Sequence, residues 1–277
     1  MDEVRISGLH IYPLKSGRGL AVAEAEVGDR GFVDDRRFMV VDERGRLMSQ
    51  REQPRMALIE VTIRGEGLVL SAPGVGGVEV SLRPREGVPR RVQVWADDCD
   101  AIAVSPEADA WLQRHLGVSC ALVYMPDASF RAVDPDHSAP GDQVSFADGF
   151  PFLLASRASL EDLNARLAQG GATPVSMDRF RPNLVVEGCA PYAEDRWREL
   201  EIGGVLFEVT KPCARCVMVT VDPARGVTGR EPLATLATYR KHDGEVMFGQ
   251  NLVHRRRGVI RVGDRVRLLD ARDTGRA

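Results

Sequence analysis

The stretch KPCARCVMVTVDP (211–223) sets two thiols, Cys213 and Cys216, ahead of five mostly β-branched or apolar residues that end at an Asp-Pro. A thioredoxin-like dithiol sits at a helix N-terminus, whose dipole stabilises a thiolate. The residues after Cys216, VMVTV, prefer a strand instead. Structural zinc wants four ligands, commonly two Cys-x-x-Cys pairs or one pair with closely spaced histidines. Here one pair stands alone, and His242 and His254 are twelve residues apart. A third reading stays open beside these two. With the cations Lys211 and Arg215 nearby, one sulfur can act as a single soft ligand to a metal brought by an organic cofactor.

The strand habit of this stretch runs through the chain. VRISGLHIY (4–12), LAVAEAEV (20–27), RFMVV (37–41), ALIEVTI (57–63), VEVSL (78–82) and RVQVWA (91–96) are separated by turn sequences such as GDRG (28–31) and APGVGG (72–77). Runs of this length and spacing predict a sandwich or barrel rather than parallel βαβ units. One helix is expected over SPEADAWLQRHLG (105–117), with a capping serine, early acids and a closing glycine. From Pro126 to Gly149 no period is sustained, and this segment reads as a loop or connection between domains, with His137 a solvated loop residue.

Beyond it, FPFLLASRASLEDLNARLAQGG (150–171) places Leu160, Leu163 and Leu167 on one helical face, with Ser159 as a cap. A shorter helix is expected around REPLATLATYRK (230–241). Strands are expected at 182–188, 200–210, 217–221 and 258–269, the last broken by a Gly263-Asp264 hairpin signal. The fold class is therefore mainly β with a few helices (α+β), in two β-rich parts.

The bulk properties exclude several function classes. A net charge of −3 gives no general reason to expect nucleic acid or an anionic membrane as partner. No run of about eighteen apolar residues occurs, and MDEVRISGLHIYPLK lacks a secretory signal, so a cytoplasmic protein is expected. Five cysteines, an odd number, are not a disulfide framework. Cys99, Cys120 and Cys189 read as small buried hydrophobes.

A cofactor with an anionic tail needs cations and amides to hold it. IYPLKSGRG (11–19) ends a strand in Lys15, Ser16 and Gly17. DRRFMVVDERG (35–45) puts Arg37 at a strand start, and DRFRPNLVVEG (178–188) sets Arg181 and Asn183 around a proline. Alone, each has an ordinary reading as a solvated or turn residue.

Taken together, these pieces resemble MOSC-domain proteins (molybdenum cofactor sulfurase C-terminal domain) that carry the MOSC N-terminal β-barrel region. Among them the chain is similar to the mitochondrial amidoxime-reducing component and its bacterial relatives. The likeness covers nearly the whole chain, in order: YPLKS (12–16), DRRFMVVD (35–42), SQREQPRMALI (49–59), DGFPFLLASRASLEDLN (148–164), FRPNLVVEG (180–188), YAEDRWRELEIG (192–203), CARCVMVTVDPARG (213–226), FGQNL (248–252) and VGDRVRLL (262–269). It implies an N-terminal barrel-like domain over 1–125, a linker over 126–149 and a MOSC domain with the cofactor site over 150–277.

The resemblance implies that Cys216 ligates molybdenum and is the catalytic residue. It assigns Lys15, Ser16, Arg37, Arg181, Asn183 and Arg215 to the pterin and its phosphate, and leaves Cys213 without a metal role. The cofactor is then the molybdenum cofactor (Mo-molybdopterin), and the reaction is two-electron removal of oxygen from N-hydroxylated compounds such as amidoximes, hydroxylamines or N-hydroxylated bases. Some bacterial relatives append an iron–sulfur domain, whereas no cysteine follows Cys216 here. Electrons are therefore expected from a separate donor protein, a flavin reductase acting alone or with a ferredoxin-like or haem carrier, with pyridine nucleotide involved only indirectly. The membrane anchor of the mitochondrial proteins has no counterpart, so no membrane association is expected. A second function carried by other MOSC domains is that of a cofactor or persulfide-sulfur carrier using Cys216. Asp222, the FGQN segment (248–251) and the basic run HRRR (254–257) are further candidates, for catalysis, pocket lining and donor docking respectively.

Overall fold

A computed structural model describes residues 3–271. Its largest element is a nine-stranded sheet in the order Leu20–Val22, Arg5–Ile11, Leu184–Glu187, Phe152–Ser156, Glu245–His254, Val205–Arg215, Trp197–Ile202, Val266–Ala271, with Lys241–His242 on the flank of Glu245–His254. All pairings are antiparallel except Phe152–Ser156 with Leu184–Glu187. A three-stranded sheet of Gly258–Arg261, Glu24–Gly28 and Gly31–Phe32 completes this half. Between them lies a core that includes Leu9, Phe32, Phe152, Leu200, Phe207 and Ile260. The other half holds a four-stranded sheet (Phe38–Val41, Ala121–Tyr124, Asp97–Ala103, Pro89–Val94) and a meander of Glu60–Arg64, Gly67–Ala72 and Gly76–Ser81. Helix α1 (Pro106–Leu116) covers the meander with Trp111 and Leu112.

Strand pairing does not follow the 1–125 boundary at its start. Arg5–Ile11 pairs with Leu184–Glu187, and Glu24–Gly28 with Gly258–Arg261, so the chain begins inside the C-terminal half before building the N-terminal one. Pairing over more than 170 residues leaves no local trace, whereas the composition change at Pro126 does.

Several local expectations are corrected. Helix α2 (Arg157–Gln169) is capped by Ser156, whose hydroxyl accepts from the Ser159 N–H, and the preceding Phe152–Ser156 is a strand. Ser159 lies inside the helix, and its hydroxyl donates to the buried Glu194 at 2.7 Å. Helix α3 is a short turn, Leu233–Ala237. Gly263, at φ 94°, turns between strands belonging to different sheets, so Gly263-Asp264 closes no hairpin. Residues 217–220 form a 3₁₀ turn rather than a strand. The Thr220 hydroxyl donates to the Val217 carbonyl at 2.7 Å, and Val219 enters the core with Phe180, Leu236 and Phe248. A local side-chain bond and one apolar anchor thus outweigh β propensity.

The 126–149 segment is irregular but organised by one buried side chain. Arg131 donates to Asp97 at 2.8 Å and to the carbonyls of Ser145, Ala147 and Asp148 at 3.0, 2.6 and 2.9 Å. Arg131→Ala is expected to lower stability by about 3 kcal/mol, because it strands several buried acceptors together. Denaturant unfolding checks this through a lower midpoint.

Candidate functional site

Four chain segments converge on one open cavity of about 130 Å³: the turn at Lys15 and Ser16, the strand start at Arg36, the Phe180–Asn183 segment, and the strand end at Cys213–Cys216. Among the described residues seven non-glycine residues have positive φ, and four of them, Ser16 (66°), Arg36 (49°), Trp95 (57°) and Arg181 (56°), line this cavity. Side chains in the left-handed region cost conformational energy, and such strain gathers at functional sites.

The walls are strongly cationic. Among the described residues, Lys15, Arg36, Arg51, Arg179, Arg181 and Arg215 line the cavity against one carboxylate, Asp148. The buried Lys15 ammonium lies 2.6 Å from Asp148, and burial pushes its pKa below the usual lysine value while Asp148 pulls the other way. The Arg36 and Arg181 guanidiniums each lie 4.4 Å from the Tyr12 ring centroid. Burial brings Arg181 down to about 10, with Tyr12 opposing the shift and the Arg36 charge adding to it. Two further atoms, Ser16 Oγ and Arg215 Nε, are buried without a hydrogen-bond partner among the described residues. A cation-rich cavity with an unpaired hydroxyl and guanidinium N–H suits an anionic, acceptor-rich ligand. A pterin carrying a phosphate fits that description.

Six of the seven residues expected in the site meet there: Lys15, Ser16, Arg181, Asn183, Arg215 and Cys216. Asn183 is largely committed to structure, accepting from Arg36 Nη1 at 3.1 Å and the Leu153 N–H at 3.3 Å and donating to the His10 carbonyl at 3.2 Å. Arg37 is the exception and a correction. It turns to the Met125 carbonyl and to Asp127, at 3.0 and 2.8 Å, and lies over Tyr124. Its neighbour Arg36 takes the expected place, tied to Asp35 at 2.5 Å. Trp95, Asp148 and Arg51 were not legible as site residues; Trp95 donates to Asp148 at 3.1 Å and carries the Arg51 guanidinium 4.2 Å from its ring centroid.

The two thiols part company. Cys213 through Arg215 stay in the extended strand Val205–Arg215, and Cys216 leads the 3₁₀ turn Val217–Thr220. At about 3.3 Å per residue this holds their Cα atoms roughly 10 Å apart. A disulfide tolerates about 7 Å, so extended backbone separates the pair more directly than the lack of a following helix does. Arg215 donates to Cys213 Sγ at 2.9 Å and to the Phe180 carbonyl at 2.7 Å. Lys211 instead faces Asp134 at 3.3 Å.

The remaining candidates have structural work. The Asp222 carboxylate accepts from the N–H groups of Ala224 and Arg225 and is not in the cavity lining. Gln250 donates to Asp195 at 2.7 Å, whereas Asn251 lines the cavity. Arg255 pairs with Asp142 and Glu208, and Arg257 with Asp29. No helix among the described residues is long and apolar enough to cross a membrane.

Comparison with known proteins agrees with this architecture. The MOSC N-terminal beta barrel domain matches residues 3–119 and the MOSC domain residues 141–267. The chain is 38% identical to mitochondrial amidoxime-reducing component 1 of Mus musculus, over 95% of this chain and 82% of that protein. It is 35% identical to the Homo sapiens protein of the same name, over 95% and 82%. It is also 31% identical to the molybdenum cofactor sulfurase of Solanum lycopersicum, over 88% of this chain and 32% of that protein. With two matched domains in order and relatives alike over most of their length, the chain belongs to the MOSC-domain family, in the group that includes the mitochondrial amidoxime-reducing components.

Proposed function

We propose that the protein is a molybdenum-cofactor oxidoreductase that reduces N-hydroxylated compounds, with Cys216 as the protein's metal ligand. The observation that carries this reading is a cavity with six cationic residues and two orphaned polar atoms that Cys216 lines, together with Cys213, whose sulfur accepts from Arg215. Its relatives named for amidoxime reduction support the choice of reaction. When bound, the cofactor supplies the two-electron chemistry that removes oxygen from an N–O bond. The chain's own residues bind and orient. Lys15, Arg36 and Arg181 supply charge for the phosphate and the pterin edge, with Ser16 Oγ and Arg215 Nε free to donate. Cys216 is fixed by the strand end on one side and the turn anchored by Val219 on the other. Electrons come from a separate donor protein.

A second reading, a carrier of cofactor or of persulfide sulfur on Cys216, is favoured by the relative named molybdenum cofactor sulfurase. Holo-protein from a cofactor-producing host, given an artificial electron donor, separates the two. Catalytic reduction of an amidoxime or hydroxylamine supports the reductase. Delivery of cofactor or labelled sulfur to an acceptor protein without turnover supports the carrier.

A further inference from the structure

Beside the cofactor cavity lies a second, open groove whose walls are of a different kind. The two share Arg51, Trp95, Asp148, Gly149, Phe150 and Cys213, among others, so the groove opens onto the cavity along the strand that ends at Arg215, just before Cys216. Trp95 and Phe130 stand on its rim with 37% and 58% of their surfaces exposed, and Phe150 lines it as well. Aromatic surface left exposed beside a groove is available to stack on a flat ligand. Phe130 stacks on no other aromatic ring among the described residues.

Trp95 adds an independent sign. It sits in the two-residue turn between the paired Val94 and Asp97, at φ 57°, a position that favours glycine or asparagine. A bulky ring held there against its backbone preference points to a role at the ring. The indole is already fixed, by its bond to Asp148 and by the Arg51 guanidinium lying over it, so it presents a preformed flat layer. Two carboxylates of the groove, Asp98 and Glu245, make no salt bridge among the described residues. They make the groove tolerant of a cationic head group such as an amidinium.

We infer that this groove is a substrate subsite that selects planar aromatic bases, with Phe130 and Trp95 as specificity-determining residues. The inference rests on the reductase reading for its substrate, but its test does not need turnover. An aryl amidine, the product of amidoxime reduction, is titrated calorimetrically into holo-protein, and KM is measured for an aryl amidoxime and for hydroxylamine with an artificial donor.

Phe130→Ala, outside the cofactor cavity, is expected to weaken amidine binding and raise the aryl amidoxime KM about fivefold, the worth of one aromatic contact. Its KM for hydroxylamine stays within about twofold, and Phe130→Tyr restores the aryl preference. Trp95→Gly, which removes the ring and suits the backbone, weakens amidine binding while thermal unfolding shows no loss of stability. Amidine binding unchanged in both variants overturns the inference, as does an equal change for both substrates. A defect seen only with a protein donor also overturns it and marks the face as a docking surface. If wild type binds the amidine through Phe130 yet reduces neither substrate, the reductase reading fails and the subsite stands.

Discussion

Cys216→Ser is expected to abolish reduction of N-hydroxylated compounds, whereas Cys213→Ser retains at least about a hundredth of the wild-type rate. The asymmetry comes from the backbone. Cys216 is the last thiol before the chain turns away, its position set by the strand Val205–Arg215 on one side and the buried Val219 on the other. A hydroxyl in place of its soft thiolate is a poor donor to the metal. Cys213 instead receives a hydrogen bond from Arg215, so its loss loosens a guanidinium that still holds the Phe180 carbonyl. A loosened neighbour of this kind typically costs 10- to 100-fold in affinity or activity at most. Steady-state rates of the two variants, normalised to protein, check this; equal losses would show that the cysteines act as a pair.

Arg181→Asn is expected to weaken cofactor retention by about 10- to 100-fold, the value of one or two charge-assisted hydrogen bonds. Asparagine is chosen because it tolerates the left-handed backbone at φ 56° that alanine would strain. Burial holds Arg181 down to about 10, so the folded protein keeps this charge at a cost. Lys15 is also buried and lowered, but its pairing with Asp148 at 2.6 Å offsets that cost, so Lys15 and Asp148 stabilise each other. Removing the Arg181 charge, which makes no salt bridge among the described residues, therefore trades binding against stability. Arg181→Asn is expected to lose cofactor while cofactor-free protein unfolds at the same or higher denaturant. Pterin fluorescence after oxidative release, read beside an unfolding curve, distinguishes this from a merely structural role, in which both would fall together.

Much of the site is legible in the sequence because its residues lie in distinctive local settings. Lys15-Ser16-Gly17 closes a strand, Arg181 and Asn183 flank a proline, and Cys216 stands in a Cys-x-x-Cys. Arg36 was not separable from Arg37. The strand after them, Phe38–Val41, is buried on both faces, with Phe38 and Val40 in one core and Met39 and Val41 in another. Without a polar face, alternation does not say which arginine points where. The left-handed turn at Arg36 decides it, and neither arginine carries a sequence mark for φ. Trp95 and Asp148 were hidden for another reason. They meet across 53 residues, one from a hairpin tip and one from an aperiodic loop, and only the tertiary fold joins them. The same limit applies to residues 217–220, where propensity favoured a strand and packing of Val219 imposed a turn.

The central claim is that one protein sulfur, Cys216, completes a metal site whose remaining donors arrive with a pterin cofactor. Metal and pterin analysis of wild type beside Cys216→Ser, both purified from a cofactor-producing host, tests it most directly. The expected result is molybdenum and pterin in equal amounts in the wild type, with molybdenum lost from the variant. Molybdenum retained equally without the thiol, or one zinc per chain in place of it, would contradict the assignment.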